Sequence, residues 1–180
     1  MTSTRTRALD AAIELLGTEG LRSLTHARID ERAGIPRGST SNYFRTRAAL
    51  LSGVSDGILE REMADYPHLP APTTADECVD WLAVLLEHVT VRNRTLTTAR
   101  LVMFMEASND PELRETLAKG RAAIEAWFVP TVASLGARDP QTAAYTIAAC
   151  FEGLVLHRIA RHDDTDPRPA FELVVRAALS

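Results

Sequence analysis

The chain has 180 residues, 46% of them hydrophobic and 24% charged, with 9 Gly, 9 Pro and a net charge of −4. That balance excludes a disordered or fibrous chain, and the length allows one domain or a small domain joined to a larger one. The longest apolar stretch, 143–156, is interrupted by Thr146, Glu152 and Gly153, short of the ~20 residues of a membrane span.

Residues 1–7 lack the apolar run of a signal peptide. The expectation is therefore a soluble cytoplasmic protein without a membrane partner. The first predicted helix, of about 12–14 residues, carries Leu9, Ala12, Ile13 and Leu16 at helical spacing, with Gly17 and Gly20 available to end it. Thr25 is a plausible N-cap for a second helix through Ala33, with Gly34 at the left-handed stop. Pro36 suits the first turn of a short third helix through Tyr43. A fourth helix is predicted from about 46 to 66, with Leu50, Leu51, Val54, Ile58 and Leu59 on one face.

Pro67, Pro70 and Pro72 mark a connector. Beyond it, helical runs are predicted over about 75–92, with Cys78, Leu82, Leu85 and Val89 as its stripe, and over 95–107. Asp110-Pro111 and Asp139-Pro140 open two more, about 111–135 and 140–161, the former kinked or split at Pro130. A last helix follows Pro167 and Pro169. No sustained period-two alternation occurs, so the fold class is all-α. Cys78 and Cys150 lie 72 positions apart in apolar surroundings, which reads as reduced thiols rather than a disulfide scaffold.

Charge is unevenly spread. Residues 1–51 hold eight Arg against five acids, a net +3, and the remainder carries −7. A basic end on an acidic body places an anionic partner at that end. Within it, Ala33-Gly34-Ile35-Pro36 joins two short helices as a helix-turn-helix. The second is almost wholly polar, with Ser39, Thr40, Ser41, Asn42 and Tyr43 between Arg37 and the pair Arg45 and Arg47. As an isolated octamer this reads as a solvated surface helix; in its setting it reads as a face whose side chains meet base edges while the arginines meet phosphates.

Residues 6–51 resemble the N-terminal domain of the TetR family of transcriptional regulators in Gly20, Leu24-Thr25, Ala33-Gly34-Ile35, Tyr43-Phe44 and Arg47. The resemblance implies an N-terminal three-helix DNA-binding domain, residues 1–51, followed by a larger helical effector-binding and dimerisation domain, 52–180, with helix four connecting them. It implies DNA contacts at Thr25, Ser39, Asn42, Tyr43 and Arg47. The surrounding residues add Arg28, Arg37, Thr40 and Arg45. Two departures stand out: Ser41 where many members have an aromatic, and Asp30 where they have a small apolar residue. Asp30 is expected to repel DNA, with Arg28 and Arg32 offsetting it.

The 143–156 run is apolar nearly all round the helix, which reads either as a central core helix or as a dimer contact. The resemblance implies a homodimer interface formed by the last two helices, with Ala144, Ala148, Phe151, Leu154, Val155, Phe171 and Val175 as candidates. Trp81, Met103, Phe104, Trp127 and Tyr145 read as plain core or as the wall of a small-molecule pocket; the resemblance implies the pocket. Gly53 and Gly57 in helix four read as a lever for ligand response or as close-packing positions.

No phosphate-cradling loop, nucleophile elbow or Cys-x-x-Cys is present. His157 and His162 are not at i, i+4 spacing, so no metal, cofactor or enzymatic activity is expected. The functional expectation is a ligand-responsive transcriptional repressor on double-stranded operator DNA, competing with RNA polymerase. The alternative is a helical interaction protein whose helix-turn-helix has lost DNA binding.

Overall fold

The computed structural model describes residues 3–65 and 70–180, and within them the chain is all-helical. The helices are α1 (Thr4–Glu19), α2 (His26–Ala33), α3 (Ser39–Tyr43), α4 (Arg47–Asp65), α5 (Ala75–Glu87), α6 (Arg94–Ala107), α7 (Pro111–Ser134), α8 (Pro140–Arg161) and α9 (Arg168–Leu179). Tyr66, the expected end of helix four, and Pro67 of the expected connector lie outside the described residues. Pro70 and Pro72 are non-helical.

Capping sets most of the boundaries. Ser3 Oγ accepts the Thr6 N–H at 3.1 Å and starts α1. Gly20, at φ 76°, ends it, while Gly17 stays inside the helix. Asp110 and Asp139 accept the Leu113 and Thr142 N–H groups at 3.0 and 3.1 Å and open α7 and α8 as predicted. The run expected over 75–92 is regular only to Glu87; a wider π-helical turn, His88–Arg92, follows. Pro130 lies within α7 without splitting it.

Two compact units emerge. The first comprises the residues up to Asp65 together with Arg94–Gly120. Here α1 is central and packs on α2, α4 and α6. Leu9, Ile13 and Leu16 meet Leu50, Val54, Ile58, Ala99 and Met103 in one buried cluster. A methyl group at Gly17 would lie 2.2 Å from the Thr95 carbonyl oxygen, so this glycine lets α1 approach the start of α6. Arg100 and Glu62, both largely buried, pair at 2.9 Å between α6 and α4. Compactness thus divides the chain differently from the functional division expected after Leu51.

The second unit comprises residues 70–93 and Arg121–Ser180. Here α5, α8 and α9 pack on one another. Phe151 and Phe171 stack at 6.1 Å, with Val155 and Val175 fully buried. This corrects the expected interface. Ala144, Phe151, Val155, Phe171 and Val175 are buried within the single chain and form its core, because the inward faces of α8 and α9 cover each other. Ala148 and Leu154 are half-buried. The large apolar side chains these helices leave exposed are instead Tyr145, Leu156 and Leu173.

Trp81 of α5 lies 5.2 Å from Trp127 and 6.5 Å from Phe128, both of α7. The other pocket candidates do not join them. Met103 is wholly buried in the core of the first unit, Phe104 of the same unit lies beneath the Arg100 guanidinium at 5.3 Å, and Tyr145 is exposed beneath Arg121 at 5.5 Å. Both cysteines are free; burial pushes the Cys78 thiol up to about 11, which keeps it protonated. No helix among the described residues is long and apolar enough to cross a membrane.

Candidate nucleic-acid interface

Short polar helices do not hold themselves together, so the polar α3 must be fixed from outside. Its start is prepared by α2. Thr25 caps α2 by accepting the Arg28 N–H at 3.4 Å, and its hydroxyl hydrogen remains available for a phosphate. Gly34 turns left-handed at φ 60° to end α2, and Ile35 follows as a buried anchor whose N–H bonds the Asp30 carbonyl at 3.0 Å. Pro36, expected in the first turn of the third helix, instead precedes a turn: its carbonyl accepts the Ser39 N–H at 3.1 Å, and α3 begins only after Gly38 at φ 86°.

Gly38 offers no side-chain acceptor to the exposed N–H groups at the start of α3. Asp30 supplies it. Its carboxylate accepts the Gly38 N–H at 2.7 Å, the Thr40 N–H at 2.8 Å and the Thr40 hydroxyl at 2.6 Å. Burial pushes the Asp30 carboxyl pKa upward, but the bonds from Thr40 and Gly38 outweigh it and hold the pKa below the ordinary value. Two expectations change. Asp30 is not a charge turned toward DNA but the clamp between α2 and α3. Thr40, expected at base edges, is fully buried with its hydroxyl given to Asp30, so it fixes the helix and reads nothing.

On the outer side of α3, Asn42 and Tyr43 are exposed and Ser39 is half-buried. The side-chain polar groups of these three have no hydrogen-bond partner among the described residues. The Ser41 hydroxyl donates to the Gly38 carbonyl at 2.8 Å. Arg37 and Arg45 flank this face, exposed and without an acidic partner among the described residues. Arg47 opens α4 behind Thr46, whose hydroxyl accepts the Ala49 N–H at 3.0 Å; its guanidinium is half-exposed and 3.9 Å from Glu106. Arg28 and Arg32 are committed to Glu19, and Arg32 also to Glu14. The hydrogen bonds from Arg28 and then Arg32 hold the Glu19 carboxyl below its ordinary pKa. A phosphate at Arg28 must therefore compete with Glu19.

Three further supports escaped the sequence reading. Arg7 of α1 donates to the Ala33 and Gly34 carbonyls at 2.6 and 3.0 Å, tying the turn to the first helix. His26 Nε2 lies 2.6 Å from the Phe44 carbonyl oxygen, where the ring must donate. Phe44 itself is buried against Gly53, where an added methyl would come within 2.4 Å of the ring. Gly53 is therefore a close-packing position. At Gly57 the same methyl would meet only ordinary contacts with Leu9 and Ile13 and the flexible end of Arg61.

Residues 8–54 match the bacterial regulatory proteins of the tetR family, and residues 73–180 match the tetracyclin repressor-like C-terminal domain. The chain belongs to the TetR family. Members of this family are DNA-binding transcriptional regulators rather than enzymes. No curated protein sequence matches the chain significantly. Solved structures do. A transcriptional regulator from Rhodococcus sp. Rha1 is 16% identical with a TM-score of 0.84, the match covering 98% of this chain and 96% of that one. The multidrug binding protein EbrR complexed with ethidium is 23% identical with a TM-score of 0.81, covering 98% and 99%. A member of the TetR family from Streptomyces coelicolor A3 is 23% identical with a TM-score of 0.75, covering 99% of each chain. At these identities the likeness is one of fold.

Proposed function

We propose that this TetR-family chain is a cytoplasmic, homodimeric repressor that holds a two-fold symmetric operator through the outer face of α3 and leaves it when a small molecule binds the second unit. One observation carries the DNA reading: Ser39, Asn42 and Tyr43 side chains on a short helix clamped by Asp30, between Arg37 and Arg45, all five without a side-chain partner among the described residues. Donors and acceptors of this kind suit base edges in a major groove, and the arginines with Arg47 suit phosphates. Thr25 and Arg28 add contacts at the start of α2. Residues 1–51 serve DNA binding in this reading and 52–180 serve effector binding and dimerisation, with α4 running between them.

Exposed Tyr145, Leu156 and Leu173 on α8 and α9, with half-buried Ala148 and Leu154, supply the homodimer contact. Gly153 lies on the same helix, and an added methyl there would meet nothing within 4 Å, so the position allows a second chain to approach closely. EbrR, which binds ethidium, supports an effector role for the second unit. Release requires the effector to bind the DNA-incompetent conformation more tightly, since equal affinity for both states shifts nothing. Occupancy of the operator excludes RNA polymerase.

The two kinds of DNA contact are expected to fail differently. Arg47→Ala should weaken binding to every sequence and lower the slope of log affinity against log salt by about one per chain, whereas Asn42→Ala should lose discrimination between sequences at a cost of about 1–3 kcal/mol. Fluorescence anisotropy with specific and scrambled duplexes at two salt concentrations separates them. Unchanged affinity, discrimination and salt slope in both variants would contradict the reading and favour a helix-turn-helix that no longer touches DNA.

A further inference from the structure

The ring cluster of the second unit contains an unsatisfied donor. Trp81 is more than nine-tenths buried, and its indole Nε1–H is shielded from solvent with no acceptor among the described residues. A buried donor left without an acceptor is costly, so native proteins seldom keep one without a use for it. Phe128 lies nearly parallel to both indoles, at 14° and 6.5 Å from Trp81 and at 20° and 6.0 Å from Trp127, while the two indoles are tilted by 32° to each other at 5.2 Å. Trp127 and Phe128 sit one turn before Pro130, whose missing N–H deprives the Ala126 carbonyl of its helical donor. The turn that carries both rings is therefore the one where α7 yields most easily.

The charge of the surroundings narrows the ligand. The buried polar residues of the second unit are Thr90 and Thr131, and no carboxylate among its described residues is buried. Both threonine hydroxyls already donate within their own helices, Thr90 to the Leu86 carbonyl and Thr131 to the Trp127 carbonyl. A planar cation would gain from the ring faces. It would still leave the indole N–H unpaired and find no buried counter-charge.

We propose that the second unit takes a flat, neutral, conjugated ligand that stacks on Trp81, Trp127 and Phe128 and accepts a hydrogen bond from the Trp81 indole N–H. This names the effector class and rests on the effector-binding reading above. It sets this chain apart from EbrR with its ethidium.

The chain has two tryptophans, both in this cluster, so an ¹⁵N-labelled sample gives two indole resonances, assigned with Trp81→Phe and Trp127→Phe. Three aromatic probes divide the possibilities: coumarin is flat and neutral with a carbonyl acceptor, naphthalene is flat and neutral without one, and ethidium is a larger cation with a flat tricyclic face. In the wild-type chain coumarin is expected to move the Trp81 indole proton downfield and to bind about tenfold tighter than naphthalene. In Trp81→Phe the ratio of coumarin to naphthalene affinity should fall to about one, whatever the loss of ring area does to both. An unmoved Trp81 resonance with coumarin, ethidium or naphthalene binding as tightly as coumarin, or no binding of any probe would each overturn the proposal. DNA affinity measured on the same samples separates the two readings. Coumarin bound with the Trp81 signature but without release of DNA contradicts the effector role alone. Release by ethidium with Trp81 unmoved contradicts the ligand class alone.

Discussion

Asp30→Ala is expected to abolish specific DNA binding while leaving the rest of the chain folded. The substitution takes the acceptor from the part-buried Gly38 N–H and strands the Thr40 N–H and hydroxyl in a buried site. Three bonds to a charged acceptor are lost together, at a cost of roughly 3 kcal/mol. That cost falls on five residues of helix with no other cap, so DNA must reorder α3 before reading anything. Affinity for a specific site should drop by about a hundredfold or more. Asp30→Asn, which keeps one acceptor oxygen, should fall between. Because folding lowers the Asp30 pKa from its ordinary value of 3.8, the carboxylate stabilises the fold at neutral pH. That contribution is lost as pH falls below about 3.8 through the folded pKa, so the gap between wild type and Asp30→Asn should hold at pH 5 and close only in stronger acid. Full affinity in Asp30→Ala would show that α3 needs no clamp.

Gly17→Ala should destabilise the first unit, although the same exchange in an exposed helix gains about 1 kcal/mol. The new methyl would lie 2.2 Å from the Thr95 backbone oxygen and 2.8 Å from its side-chain methyl. A side chain can rotate away; a backbone carbonyl at the start of α6 cannot. Overpacking of this kind costs about 1–3 kcal/mol or more. A backbone clash this close calls for the upper end of that range; with the helix gain subtracted, about 2 kcal/mol remains, and the melting temperature should fall by about 4–8 °C, given ~2–4 °C per kcal/mol at this size. A melting temperature equal to or above wild type would mean that α1 and α6 are not in contact at Gly17.

Local rules fixed what local rules can. The Thr25 cap, the left-handed Gly34, the buried Ile35 and the aspartates ahead of Pro111 and Pro140 all depend on residues within four positions, and each stands where the spacing puts it. The misjudged features depend on partners far away in sequence. Asp30 looked like a charge on a DNA-facing helix because its acceptors' users lie eight and ten residues on. The signal was present: Gly38 cannot cap the helix after it, so an acceptor had to come from another element. Thr40 looks in sequence like its polar neighbours, yet a five-residue helix packed on α2 must turn one side inward. Gly53 reads in sequence as either soft or tight, because the Phe44 ring that packs against it lies nine residues away. Periodicity likewise marked α8 as apolar on many faces without saying that α5 and α9 of the same chain cover part of it.

The central claim is that the outer face of α3 reads a two-fold symmetric DNA site. Selection of the purified chain against a pool of randomised duplexes, with stoichiometry and salt dependence measured on the enriched sequences, tests it most directly. The account predicts enrichment of palindromic sites whose half-sites lie one or more helical turns apart, bound by two chains per symmetric site or a multiple of two, with an affinity that falls steeply as salt rises. A pool that emerges unenriched, or binding that ignores both sequence and salt, would contradict it.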